Sequence, residues 1–129
     1  MEIEVEETYM EEEKSIFVEY FGNSPYIRVL DFLLLGQDFD YSMTEVARGA
    51  CVGWSAFTKV WKQLLDKNII VPTREIGNAK LFKFNKDNLA VQKLIKLDLE
   101  LTKLETDKLF KEKGWNKKVE KKAISPKQK

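Results

Sequence analysis

From residue 16 onward the apolar positions of the chain follow helical spacing first and then alternate like strands. Tyr26, Val29, Leu30, Leu33 and Leu34 recur at i, i+3 and i+4, which places one face of a helix in a core. Ser24 ahead of them is a favoured N-cap, Pro25 suits the first helical position, and Gly36 supplies a stop. Ile16–Phe21, just upstream, is apolar enough to pack on the same body. Further on, Ser42 and Glu45 have the spacing of a capping box, predicting a short helix from Met43 that Gly49 and Gly53 keep short. A second helix extends from about Trp54 to Lys67, with Phe57, Val60, Trp61, Leu64 and Leu65 as its buried stripe. Two short helices joined by a tight turn form a helix-turn-helix, with Val46, Ala47 and Val52 on its inner side.

The period then changes from helical to alternating. After Asn68, a helix terminator, the run "IIVPTREIGNAKLFKFN" reads as a β-hairpin whose two-residue turn is Gly77-Asn78. Ile69 and Val71 on one arm, and Phe82 and Phe84 on the other, are its expected core-facing positions. Pro72 assigns its strand to an edge, because it has no N–H to give a neighbour on both sides. From residue 87 the pattern is helical again for roughly 25 residues, to a stop at Gly114. Leu94, Leu97, Leu101 and Leu104 repeat along it at 3-4-3, widened by Ile95 and Leu99. An apolar stripe that outruns its own domain usually meets a copy of itself, so these four leucines are the expected dimer seam.

Helix, helix-turn-helix, hairpin and long helix give a mainly α fold with a small β-hairpin wing, a winged helix-turn-helix plus a C-terminal dimerisation helix. The expected organisation is an acidic arm over residues 1–15, the winged domain over 16–86, the long helix over 87–113 and a lysine-rich tail over 114–129. The brief alternation in "MEIEVEE" would allow a short strand, and the composition of the tail is that of disordered chain. Three stretches, "FGNSPYIRVLDFLL", "VGWSAFTKVWKQLLDKNIIVPTREIGNAKLFKFN" and "NLAVQKLIKLDLEL", resemble the archaeal winged-helix transcriptional regulators, broadly of the MarR and ArsR types. They cover about residues 21–101. The resemblance implies double-stranded DNA as partner and a homodimer joined through terminal helices. The arm and the tail lie outside it.

Charge sharpens this picture more than composition does. The formal net charge is +1, yet residues 1–20 hold eight acids and one base. The remaining thirteen acids and twenty-one bases therefore leave a basic body. Residues 54–86 alone carry seven bases against Asp66 and Glu75, as expected of a surface that meets a polyanion. Residues 1–13 are expected to be a solvated tail; the sharper alternative is that their negative charge competes with DNA for that surface. With no histidine and a single cysteine the chain lacks the usual parts of a catalytic or metal site, so neither an enzyme nor a cofactor is expected. One cysteine also rules out an intramolecular disulfide, and the longest apolar run, "FLLL", is far short of the roughly 18 residues that cross a bilayer. A cytoplasmic, nucleoid-associated protein without a membrane partner is the corresponding expectation.

The residues expected to touch DNA are Trp54, Ser55, Thr58, Lys59 and Lys62 on the second helix, with Arg74 and Lys80 flanking the hairpin tip. A recognition helix offers its outer face to the major groove, where Ser, Thr and Lys reach bases and phosphates. No arginine lies on that face, so the commonest bidentate guanine contact is missing and specificity is expected to be modest or partly indirect. On the wing, Arg74 and Lys80 can follow the phosphate backbone or reach the minor groove, with Glu75 opposite Lys80. Each of these could instead be a solvated helix face or ordinary charged protection of a strand edge. A winged helix can also serve as a protein-interaction adaptor, with Trp54 and Trp61 in a docking surface; exposed aromatics in neutral surroundings would favour that alternative. Cys51 stands where such turns favour glycine. It is expected to be a small buried residue, and a left-handed cysteine would cost on the order of 1 kcal/mol unless Gly49 or Gly53 takes the bend.

Overall fold

Capping side chains open the first three helices of the computed structural model, which describes residues 14–113. Ser15 accepts from the Val18 amide at 3.1 Å and starts α1 (Ile16–Phe21); Ser24 does the same for Ile27 at 3.3 Å and starts α2 (Pro25–Leu35). Ser42 and Glu45 form the expected reciprocal capping box of α3 (Met43–Gly49), at 3.2 and 2.9 Å. The other elements are β1 (Asp40–Ser42), α4 (Trp54–Asp66), β2 (Ile70–Ile76), β3 (Ala79–Phe84) and α5 (Leu89–Lys113). Residues 1–13 of the expected arm (1–15), the tail and the Gly114 stop lie outside the described residues.

Both helices of the helix-turn-helix end in the same way, and their closures set where the next segment begins. After α3, the Val52 amide donates to the Ala47 carbonyl at 3.0 Å and Cys51 to Arg48 at 3.1 Å; after α4, Ile69 donates to Leu64 at 2.9 Å and Asn68 to Leu65 at 3.0 Å. These paired bonds are Schellman closures, which need one left-handed residue. Here that residue is Cys51 (φ 58°) in the first case and Asn68 (φ 59°) in the second. Cysteine thus takes the bend itself, and it is exposed where a buried residue was expected. Gly49 serves another purpose: a Cβ there would lie 2.2 Å from the Phe32 ring, so glycine lets α3 close on α2.

The sheet is antiparallel in the order β1-β3-β2, with the predicted Gly77-Asn78 turn joining β2 to β3 and Gly77 at φ 61°. Pro72 is on an edge strand, as expected. The core-facing register of β2 differs from the expectation by one residue. Ile70, opposite Phe84, is 1% exposed, whereas Ile69 and Val71 are only half-buried. Ile69 is used in the closure of α4, so the strand begins one residue later. Leu65 likewise falls at the margin of the α4 stripe, 36% exposed, while Phe57, Val60, Trp61 and Leu64 are buried with Val29, Leu33, Val46 and Phe84.

The base of α5 is tied to the end of α4. Asn88 Nδ2 donates to the carbonyls of Lys67 (3.0 Å) and Asn68 (2.9 Å), and its Oδ1 accepts from the Ala90 amide, which caps α5. Val91 then enters the core, with Leu94 and Ile95 partly buried against it. Farther along α5, Asp98 and, on α2, Asp31 are two acids with raised pKa values. Burial is the main cause at both; the negative charge of Asp31 pushes Asp98 up further, while the Ser15 hydroxyl, which donates to Asp31 at 2.8 Å, acts in the opposite direction. A raised carboxyl disfavours the folded state once pH climbs through its folded pKa. Asp98→Asn is therefore expected to raise the melting temperature at pH 7, with the advantage shrinking as pH falls toward 4. A thermal melt at the two pH values checks this; an equal advantage at both would count against a titrating cause.

Candidate nucleic-acid interface

Four aromatic rings anchor α4 and fix its outer face. Trp54 stacks on Phe57 (centroids 5.4 Å, 27°), Phe57 stacks on Trp61 (5.1 Å, 26°), and Trp61 meets Phe82 of β3 edge-on (5.3 Å, 86°). At about 100° per residue, Trp54 and Trp61 lie nearly in line along the helix. Trp54 is thus the half-exposed end of a column that starts in the core, at the border of the polar face. Ser55, Lys59 and Lys62 occupy that face and are exposed. Thr58 is half-buried and donates its hydroxyl to the Ser55 carbonyl at 3.0 Å.

Lys62 pairs with Asp66 one turn on, at 3.5 Å, with both side chains largely exposed. Such pairs contribute at most about 1 kcal/mol, so Lys62 can be released to another anion at little expense. Lys59 has no ion-pair partner among the described residues. It borders an open groove with Trp54 and Ser55 on one wall and Ser24, Pro25 and Tyr26, at the start of α2, on the other. Gly53 is the N-cap of α4 and offers no side chain to cap it, so the first amides of the helix add to the positive field of this region.

On the wing, Lys80 is exposed and stands opposite Glu75 in the register, as expected, without an ion-pair partner among the described residues. The tip carries an exposed Ile76 ahead of Gly77-Asn78. Arg74 is differently placed. Its Nε and Nη2 donate to the two carboxylate oxygens of Asp40 at 2.9 and 3.2 Å, and Thr73 donates to the same group at 2.8 Å. These donors hold the Asp40 pKa down to about 2. Nothing in the sequence pattern points to Asp40, which belongs to a three-residue strand too short to show a period.

The four expected seam leucines divide. Leu94 packs on the core of its own chain, Leu101 is half-buried, and Leu97 and Leu104 are 37% and 49% exposed. Helix α1 reaches the same part of α5, where the Tyr20 hydroxyl donates to Glu105 at 2.5 Å. The role of α1 as a neighbour of the leucine stripe was not visible in the sequence.

This architecture is a winged helix with a long C-terminal helix. No protein-family model and no curated protein matches the chain. Among solved structures it is similar to a mutant of Lactococcus lactis ZitR, with 18% identity over 78% of this chain and 71% of that one and a TM-score of 0.52. It is also similar to NadR in complex with 4-hydroxyphenylacetate, with 14% identity over 98% and 87% of the two chains and a TM-score of 0.53. A further ZitR mutant, in complex with DNA, matches at 18% identity over 78% and 71% with a TM-score of 0.50. At such identities the likeness defines the fold. No helix among the described residues is long and apolar enough to cross a membrane.

Proposed function

We propose that the chain is a double-stranded DNA-binding transcriptional regulator of the archaeal winged-helix type, acting as a cytoplasmic, nucleoid-associated homodimer. The observation that carries the reading is a set of exposed lysines on the two elements a winged helix offers to DNA: Lys59 and Lys62 on α4, and Lys80 on the wing. The DNA complex of a ZitR mutant with the same fold supports it. In this reading Ser55, Thr58, Lys59 and Lys62 line the major groove, and Trp54 packs at its edge on sugar or a thymine methyl. The wing, with Lys80 near its tip, lies on the backbone or in the minor groove. Leu97, Leu101 and Leu104 meet a second copy, and Leu94 supports them from the core. The mechanism is steric occupation of a site near a promoter. The adaptor reading is less well supported, because the exposed Lys59 and Lys62 place positive charge on the same helix face that the exposed Trp54 borders.

Two-fold symmetry makes a definite statement about the site. Selection of bound duplexes from a random pool should return an inverted repeat with half-sites about one helical turn apart. Enrichment of a single, asymmetric site would contradict the dimeric reading, and no enrichment at all would contradict sequence preference.

A further inference from the structure

The ion pair between Asp40 and Arg74 joins two strands that are not neighbours. β1 and β2 are the outer strands of the sheet, with β3 between them. Asp40 stands opposite Lys83 and Arg74 opposite Leu81, so the pair crosses β3 diagonally, on the face away from Phe82 and Phe84. Leu81 lies on that same outer face, yet it is only 8% exposed and is not part of the main core cluster.

A bulge makes the crossing possible. The register passes from Pro72 opposite Phe82 directly to Arg74 opposite Leu81, which leaves Thr73 as the extra residue. Bulges re-aim side chains, and here both Thr73 and Arg74 reach the Asp40 carboxylate. The Asp40 side chain is 18% exposed and accepts three hydrogen bonds, two of them from the planar guanidinium fork. Two residues after Asp40, Ser42 caps α3. The first strand therefore connects the wing directly to the start of the helix-turn-helix.

Resting on the DNA-binding reading above, we propose that Asp40 is a positioning residue that fixes the wing relative to the helix-turn-helix, and that Arg74 serves this tether and does not meet a phosphate. The charge of Arg74 is already balanced by a carboxylate held on two strands. The positive charge that the wing offers to DNA is then that of Lys80. Asp40 acts through geometry: it sets the angle between wing and recognition helix, and so the distance between the grooves they enter.

The test uses the full chain and a fluorescein-labelled duplex of 20 base pairs. Variants are Asp40→Asn, Arg74→Ala, Lys80→Ala and the exchanged pair Asp40→Arg with Arg74→Asp. In the free protein, amide hydrogen exchange over residues 74–80 should become about fivefold faster in Asp40→Asn and in Arg74→Ala alike, the scale of losing one good exposed pair. The exchanged pair should restore protection. In DNA titrations the slope of log affinity against log salt should stay at the wild-type value in Asp40→Asn and Arg74→Ala, and fall by about 0.9 per lost phosphate contact in Lys80→Ala. Tighter DNA binding by Asp40→Asn, together with a shallower salt slope in Arg74→Ala, would overturn the proposal and make Asp40 a competitor of DNA for a phosphate-binding arginine. Should the wild type bind no DNA, the reading of the site falls, and the exchange measurement decides the tether: equal loosening supports it, unchanged protection overturns it.

Discussion

Trp61→Ala is expected to lower the stability of the winged domain by about 3–5 kcal/mol, a large part of the roughly 5–15 kcal/mol that holds a domain of this kind folded. Trp61 is 1% exposed and links two elements through its ring: it stacks on Phe57 of α4, which in turn stacks on Trp54, and it meets Phe82 of β3 edge-on. Truncation removes apolar area and leaves a cavity between the recognition helix and the sheet that carries the wing. Trp61→Phe separates packing from polarity. The indole Nε1 is buried without a hydrogen-bond partner among the described residues, so phenylalanine removes an unsatisfied donor while keeping most of the ring contact. Its loss should be less than half that of alanine. Chemical denaturation followed by circular dichroism measures both. A loss below about 1 kcal/mol for alanine would mean that the aromatic column does not hold the wing to the helix.

The second large effect concerns assembly. α5 is 25 residues long, or about 37 Å, but only its first two turns enter the core through Val91, Leu94 and Ile95. Farther along, Leu97, Leu104 and Leu109 are exposed by 37%, 49% and 50%. Leu101→Glu with Leu104→Glu places two charges where the proposed second copy would pack. The variant should be a monomer by light scattering, with its helical content retained. DNA binding should then weaken by roughly 10²–10⁴-fold on a two-half-site duplex, because the second half-site is no longer held at high effective concentration. On a single half-site the variant should bind like the wild type. A variant that stays dimeric would put the seam elsewhere, with the exposed Tyr20 and Phe21 of α1 the next surface to examine.

Much of this fold can be read from local chemistry. Ser24-Pro25, the Ser42–Glu45 box and Gly77-Asn78 each encode a boundary with a specific hydrogen bond or backbone conformation, and the structure has all three. The misses arise where a local signal competes with a contact made far along the chain. Either neighbouring glycine could have taken the bend at Cys51, but Gly49 is needed for the close approach of Phe32. The register of β2 depends on how α4 closes, and that closure uses Ile69. β1 has three residues, below the length at which alternation is visible. On the proposed DNA face, residue types and spacing identify the lysines, while side-chain engagement is a tertiary matter. Arg74 and Asp40 are 34 positions apart, and no pattern in either segment announces their pairing. The stacking of Trp54 was within reach, since residues 54, 57 and 61 have the spacing of one helix side.

The most direct measurement of the central claim is duplex-DNA binding by fluorescence anisotropy across a salt series, comparing the intact chain with a Lys59→Ala, Lys62→Ala, Lys80→Ala variant. The account predicts that log affinity falls linearly with log salt for the intact chain. The variant should bind more weakly at low salt, with a slope shallower by about 0.9 for every lysine that meets a phosphate. Equal slopes and affinities for the two proteins would contradict the assigned face. No binding at low salt by an intact chain whose helical content is normal would contradict DNA as the partner and turn attention to a protein ligand.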